Sequence, residues 1–179
     1  MVELRFRSTK LNKINMKKVL FLIVAFVFSM QIYAQEGLKA GINLGIPVGD
    51  AGDISGFSIG LDAMYHWEVT NSFHAGIAGG FTNAFGKSLD TGFGSVEIED
   101  VQFLPIAASG RFLPSEEFKV GLDLGYAIGI SDGNDGGLYY RPIIGYAVTP
   151  GTEINFSYTG ISLDGFTWST INLGVLFNL

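Results

Sequence analysis

From Leu38 to Leu179 the side chains alternate in character with a period of two, and that alternation leaves room for little besides β-structure. A strand sends successive side chains to opposite faces. In the clearest stretch Phe118, Val120, Leu122, Leu124, Tyr126, Ile128 and Ile130 share one face, while Lys119, Gly121, Asp123, Gly125, Ala127 and Gly129 share the other. The same pattern sets Leu38, Ala40, Ile42, Leu44 and Ile46 against Lys39, Gly41, Asn43 and Gly45. It also sets Leu138, Tyr140, Pro142, Ile144, Tyr146 and Val148 against Tyr139, Arg141, Ile143, Gly145 and Ala147. Eight strands follow, over 38–46, 57–68, 73–82, 101–112, 118–130, 138–148, a short seventh over 154–158, and 171–179. The fourth alternates less clearly, and placing Leu104, Ile106, Ala108 and Phe112 on the apolar face keeps Arg111 off it. No convincing helical period follows Gln35.

One face is therefore large, apolar and aromatic, and the other small and glycine-rich. A soluble sandwich or lipocalin-like barrel would bury the first and wet the second, which requires abundant surface charge. Charged residues make up only 16% of the chain, while it carries 25 glycines and 13% aromatics. Small side chains suit the narrow lumen of a small barrel, with the apolar face turned to lipid. Most stretches supply the roughly 9–11 residues a tilted membrane strand needs. An open sheet in lipid would leave edge amides unpaired at several kcal/mol each, so the sheet must close. The expected fold is all-β, a closed antiparallel up-and-down transmembrane β-barrel of about eight strands.

The N-terminus reads differently. Residues 1–34 hold Arg5, Arg7, Lys10, Lys13, Lys17 and Lys18 against one acid, Glu3. Met16-Lys17-Lys18 leads into an apolar run over 19–30, and Ile32-Tyr33-Ala34 offers a small residue before a cut. This is the pattern of a cleaved signal peptide, with the mature chain starting at Gln35. The run falls short of the roughly 20 apolar residues of a spanning helix. Residues 1–15 read as an upstream start-site artefact, with translation beginning at Met16. The organisation is then a signal peptide over 1–34 and one barrel domain over 35–179.

After residue 34 the chain carries 5 bases and 16 acids, a net of −11 that repels phosphate backbones and argues against nucleic acid as a partner. Cysteine is absent, which excludes disulfides, thiolate metal sites and a lipidated cysteine anchor. Connections over 47–56, 84–100, 131–137 and 160–166 are polar and often long, whereas those over 68–72, 113–117 and 149–152 are tight. In membrane barrels short turns face the periplasm and long loops the exterior, so both termini are expected on the periplasmic side. Phe57, Phe81, Tyr140 and Tyr158 then fall near the outer rim, and Trp67, Phe73, Phe118, Tyr146 and Phe177 near the inner one, where rings favour the headgroup layer.

Three segments carry a resemblance: Ile32-Tyr33-Ala34-Gln35, the stretch Leu138-Tyr139-Tyr140-Arg141-Pro142-Ile143-Ile144-Gly145-Tyr146, and the closing alternation from Ile171 to Leu179. The chain resembles the small eight-stranded outer-membrane barrels of the OmpA/OmpX type, and more closely the broad bacterial outer membrane protein beta-barrel domain, or porin-like, family. That resemblance implies residence in the outer membrane of a Gram-negative cell envelope, lipid and lipopolysaccharide as surroundings, and secretion and barrel-assembly machinery as partners in biogenesis. It makes Val175, Phe177 and Leu179 the C-terminal assembly signal, with Leu179 standing where an aromatic is usual. It carries no catalytic residues.

Asp62, Asp123, Arg141 and Lys119 fall on the lumen face, where they read as a salt-bridged plug rather than an ion path, since an unpaired interior charge is costly. Eight strands leave an interior that side chains fill. His66 and His74, with Glu68, flank one turn and offer at most an incomplete metal site. They sit at the wrong end for enzymes that modify lipid A with a His and a Ser. Residues 132–137 (DGNDGG) lack the distal Glu of a calcium loop and read as a hairpin turn. The longer loops hold Asp50, Asp53, Asp90, Glu97, Glu99, Asp100, Asp132, Asp135 and Asp164 against Lys87 alone. That excess solvates them, and could hold divalent cations bridging lipopolysaccharide or a basic partner. No cofactor and no enzymatic activity are expected. The expected role is a structural, surface-exposed or adhesive barrel; a narrow ligand-binding or transport pore and a soluble lipocalin-like periplasmic binder are the alternatives.

Overall fold

The computed structural model describes residues 37–90 and 95–179; the segment read as a signal peptide lies outside them. Eight antiparallel strands close into a barrel: β1 (Leu38–Val48), β2 (Ser55–Thr70), β3 (Phe73–Gly86), β6 (Val101–Phe112), β7 (Phe118–Gly129), β8 (Gly137–Thr149), β9 (Thr152–Ser162) and β10 (Thr167–Asn178). Each pairs with its sequence neighbour, and β1 pairs with β10 over Lys39↔Asn178 to Val48↔Ser169 to seal the cylinder. A short helix, α1 (Asp50–Ile54), joins β1 to β2, and a small hairpin of β4 (Ser88–Asp90) and β5 (Ser95–Glu97) lies between β3 and β6. Among the described residues no helix is long and apolar enough to cross a membrane.

The apolar face points outward. Leu122 and Leu173 are 43% and 58% exposed, while Asp123 between the strands' inner faces is 0% exposed. A soluble barrel has the opposite arrangement. β6 takes the register that turns Leu104, Ile106, Ala108 and Phe112 out and buries Arg111. Pro105 sits inside this strand, where it can donate no ladder hydrogen bond.

The largest strand extensions beyond the sequence pattern lie at the long-loop end. β3 runs on to Gly86, β2 starts at Ser55, β10 starts at Thr167, and β9 covers 11 residues rather than a short five. In each case the extra residues have lost the lipid-facing alternation because the barrel wall there stands above any apolar belt. Ile161 and Trp168 point into the barrel, and Asn83, on the outward parity, is buried by hydrogen bonds to Asp100 (2.9 Å) and from Gln102 (2.8 Å). The polar stretch 84–100 contains the β4–β5 hairpin, and 47–56 contains α1, whose Ala51 is fully buried.

Candidate functional site

The inner face explains why the strands alternate glycine with longer polar residues. A charged side chain on one strand leans across the glycine directly opposite it on the next. Arg111 opposes Gly121, where an added Cβ would lie 2.6 Å from its Nη1. Asp62 opposes Gly80, where a Cβ would come within 3.2 Å of Oδ1, and His66 opposes Gly76, where a Cβ would crowd its ring at 2.8 Å. The missing side chains are the space that the ionic groups occupy. Gly121→Val should therefore displace the Arg111 guanidinium and destabilise the barrel by about 1–3 kcal/mol, read as a lower urea midpoint for loss of the heat-modifiable folded band on gels.

Near mid-height these side chains join into one network. Asp123 accepts hydrogen bonds from Ser109 Oγ (2.6 Å), Arg111 Nη1 (2.7 Å) and Arg141 Nε (2.9 Å). Arg141 Nη1 also donates to Asp62 Oδ1 (2.9 Å), whose other oxygen accepts from Asn43 Nδ2 (2.9 Å). His66 Nε2 lies 2.7 Å from Ser109 Oγ. Ser109 has one hydroxyl proton and directs it at Asp123, so the His66 Nε2–H is the donor in that contact. Gly76, Ser109, Asp123 and Arg141 follow one another in direct register across β3, β6, β7 and β8, which is why a lateral row of side chains becomes a continuous chain of contacts.

Of the lumen residues singled out by sequence, Asp62, Asp123 and Arg141 meet in this network. Lys119 does not join it: its Nζ lies 2.8 Å from Glu153 Oε2, on which Lys39 Nζ converges at 2.7 Å. Sequence reasoning missed Glu153, Lys39, Ser109 and the pairing role of Arg111. The alternation of Glu153, Asn155 and Ser157 with Ile154 and Phe156 was the available signal for Glu153. Four cations, Arg111 and Arg141 buried and Lys39 and Lys119 half-buried, meet three acids in the lumen, so four of the five bases after residue 34 are inside the barrel. The fifth, Lys87, is exposed and donates to the Gly52 carbonyl of α1.

Towards the long-loop end the polar layer gives way to an apolar plug. Tyr139, Ile161 and Trp168 lie in direct register across β8, β9 and β10, and Phe103 packs on Trp168 with ring centroids 5.5 Å apart. Ala51 of α1 closes the top of this cluster. Between plug and ionic network remains a void of about 20 Å³, room for about one water molecule. Two larger cavities lie at the ends. One of about 510 Å³ at the short-turn end is lined by Lys39, Lys119, Glu153 and His74, and one of about 580 Å³ opens among the long loops.

Among the described residues no group of three or more His, Asp or Glu side chains is placed to hold a metal ion. Glu68 and His74 oppose each other across the β2–β3 turn, while His66 is spent on Ser109. In the 131–137 loop Asn134 is tied down by its own surroundings, donating to the Gln102 carbonyl (2.9 Å) and accepting from Gly136 N–H (3.1 Å). Gly133 and Gly136 take positive φ of 75° there, which is turn chemistry. At the C-terminus Phe177 and Leu179 are exposed, and Leu179 N–H donates to the Leu38 carbonyl at 3.0 Å.

Comparison with known proteins agrees with this architecture. The Ail attachment invasion locus protein of Yersinia pestis superposes in its crystal structure with a TM-score of 0.54 at 19% identity, covering 79% of this chain and 95% of that one. Its backbone structure in a phospholipid bilayer nanodisc gives 0.52 at 22% identity, over 80% and 100%. A de novo designed transmembrane β-barrel gives 0.50 at 10% identity, over 80% and 95%. No curated protein sequence matches significantly. The family profile described as "Outer membrane protein beta-barrel domain" matches residues 20–178, nearly the whole chain, and the protein belongs to that outer-membrane family.

Proposed function

We propose that this protein is a non-enzymatic, surface-exposed barrel with a structural or adhesive role, acting through its loops rather than through a pore. The observation that carries the reading is the blocked lumen. Trp168, Phe103, Tyr139 and Ile161 fill one level and the Asp62–Arg141–Asp123–Arg111 network fills the next, with a void of about 20 Å³ between them among the described residues. An ionic layer with every charge paired, stacked against a packed aromatic layer, obstructs a continuous water path.

The rest of the reading extends the sequence pattern. The chain is exported behind a signal peptide over 1–34, and the barrel domain over 35–179 assembles with both termini in the periplasm and the long loops outside. Val175, Phe177 and Leu179 form its C-terminal assembly signal, read by the barrel-assembly machinery after secretion. Support comes from the exposure of Phe177 and Leu179 on a strand that closes the barrel. Lipid and lipopolysaccharide surround the outward apolar face.

Planar-bilayer recording tests the functional claim. The purified protein should insert without stable unitary conductance steps at moderate voltage. Reproducible discrete openings would replace this reading with that of a narrow pore.

A further inference from the structure

The barrel sorts its charge. With Lys39, Arg111, Lys119 and Arg141 drawn into the lumen, Lys87 is the one base among the described residues at the long-loop end, and that ammonium is engaged by the Gly52 carbonyl. The cavity of about 580 Å³ at this end is within the size range of small-ligand sites. Its floor is apolar: Phe166, Leu163, Val101 and Ile54 pack onto the buried plug with Trp168 directly beneath, and Tyr126 reaches the cavity edge from the outer face, its hydroxyl donating to the Asp135 carbonyl (3.2 Å). Its walls bear Glu99, Asp100, Asp132, Asp135 and Asp164, and among the described residues no Lys, Arg or His lines it. Asp100 is committed to Asn83 and the Gly86 amide. Asp132, Asp135 and Asp164 are exposed and make no ion pair among the described residues.

A concave site with a greasy floor and one sign of charge on its walls selects for shape and charge together. We propose that this cavity binds small organic cations: a protonated amine carried on an aromatic or aliphatic body, the body against Phe166 and Leu163 and the ammonium among the three loop aspartates. The apolar floor gives affinity by burial, aromatic rings favour a nearby cation, and the wall charge rejects anions and discriminates against neutral analogues. The inference deepens the loop-borne role proposed above by naming a ligand chemistry for it.

Dansylcadaverine, an amine on a naphthalene body, is a suitable probe because Trp168 lies directly beneath the cavity floor and can sensitise dansyl emission. Titrated into the full-length protein in detergent micelles, it should give saturable sensitised emission. Neutral dansylamide, which partitions into the same micelles, should give only a linear background. The triple variant Asp132→Asn/Asp135→Asn/Asp164→Asn, folded by heat-modifiable mobility, should bind the amine roughly tenfold more weakly, the sum of three modest exposed charge contacts. Should that variant fail to fold, the native protein decides the matter: raising salt must weaken the amine's binding and leave dansylamide unchanged. Equal response to both probes, or unchanged affinity in the variant, overturns the proposal. That result would leave the closed-lumen reading standing, since bilayer conductance tests it separately.

Discussion

Replacing Asp123 with Leu is expected to cost about 3–5 kcal/mol of folding stability, the usual penalty for removing one partner of a buried ion pair. Asp123 is wholly buried and, among the described residues, is the one acid that touches both Arg111 and Arg141. Without it Arg111 keeps only the Gly110 carbonyl, and Arg141 keeps Asp62. Ser109 loses the acceptor for its proton, which also unsettles the His66 contact. Leu is larger than Asp, so the loss includes some overpacking; Asp123→Asn, which keeps the volume and removes the charge, isolates the part due to the stranded arginines. Urea unfolding in detergent, followed by the heat-modifiable band, measures it. Removing both arginines along with the acid, by Arg111→Met and Arg141→Met, should recover much of the loss, because a network replaced whole by apolar groups is often neutral. A variant no less stable than the parent would show that water reaches this layer freely.

Trp168→Ala should cost a similar amount, about 3–5 kcal/mol for an aromatic deleted from a packed core. Trp168 is 2% exposed and borders both the long-loop cavity and the small central void. It is the partition between them, so its removal should merge the two spaces as well as empty the plug. Phe103 would lose its ring partner and Ile161 its register neighbour. Bilayer conductance should nevertheless stay silent, because the ionic layer beneath is intact. Stability measurement together with recording separates the two layers. Conductance appearing on this single change would place the whole seal in the plug.

The barrel was legible because lipid imposes a strict rule on every residue it touches. Leu122 and Asp123 had to be on opposite faces, and period two told which. Where the wall rises past the apolar belt that rule lapses, so Thr159-Gly160-Ile161 and Thr167-Trp168-Ser169-Thr170 gave no alternation although both are strand. The lumen face of Asp62, Asp123 and Arg141 could be read from parity alone. Their partners could not, because Lys39 reaches Glu153 across the β1–β10–β9 closure, 114 residues away in sequence. Only the closed register brings such residues together. The plug was hidden for another reason: Tyr139 falls on the inner parity, but Ile161 and Trp168 look like lipid-facing residues, and only their place in the pairing turns them inward.

The glycines opposite Arg111, Asp62 and His66 carry a consequence for how such a protein can diverge. Each long polar residue borrows room from a neighbour that has none of its own to fill, so neither position is free to drift by itself. A homologue with a bulkier residue at 121 must carry a shorter one at 111, and lengthening the residue at 62 requires that 80 stay bare. Lineages should thus exchange these positions in cross-strand couples, and the interior would be inherited as pairs of letters even where the lipid-facing letters change one at a time.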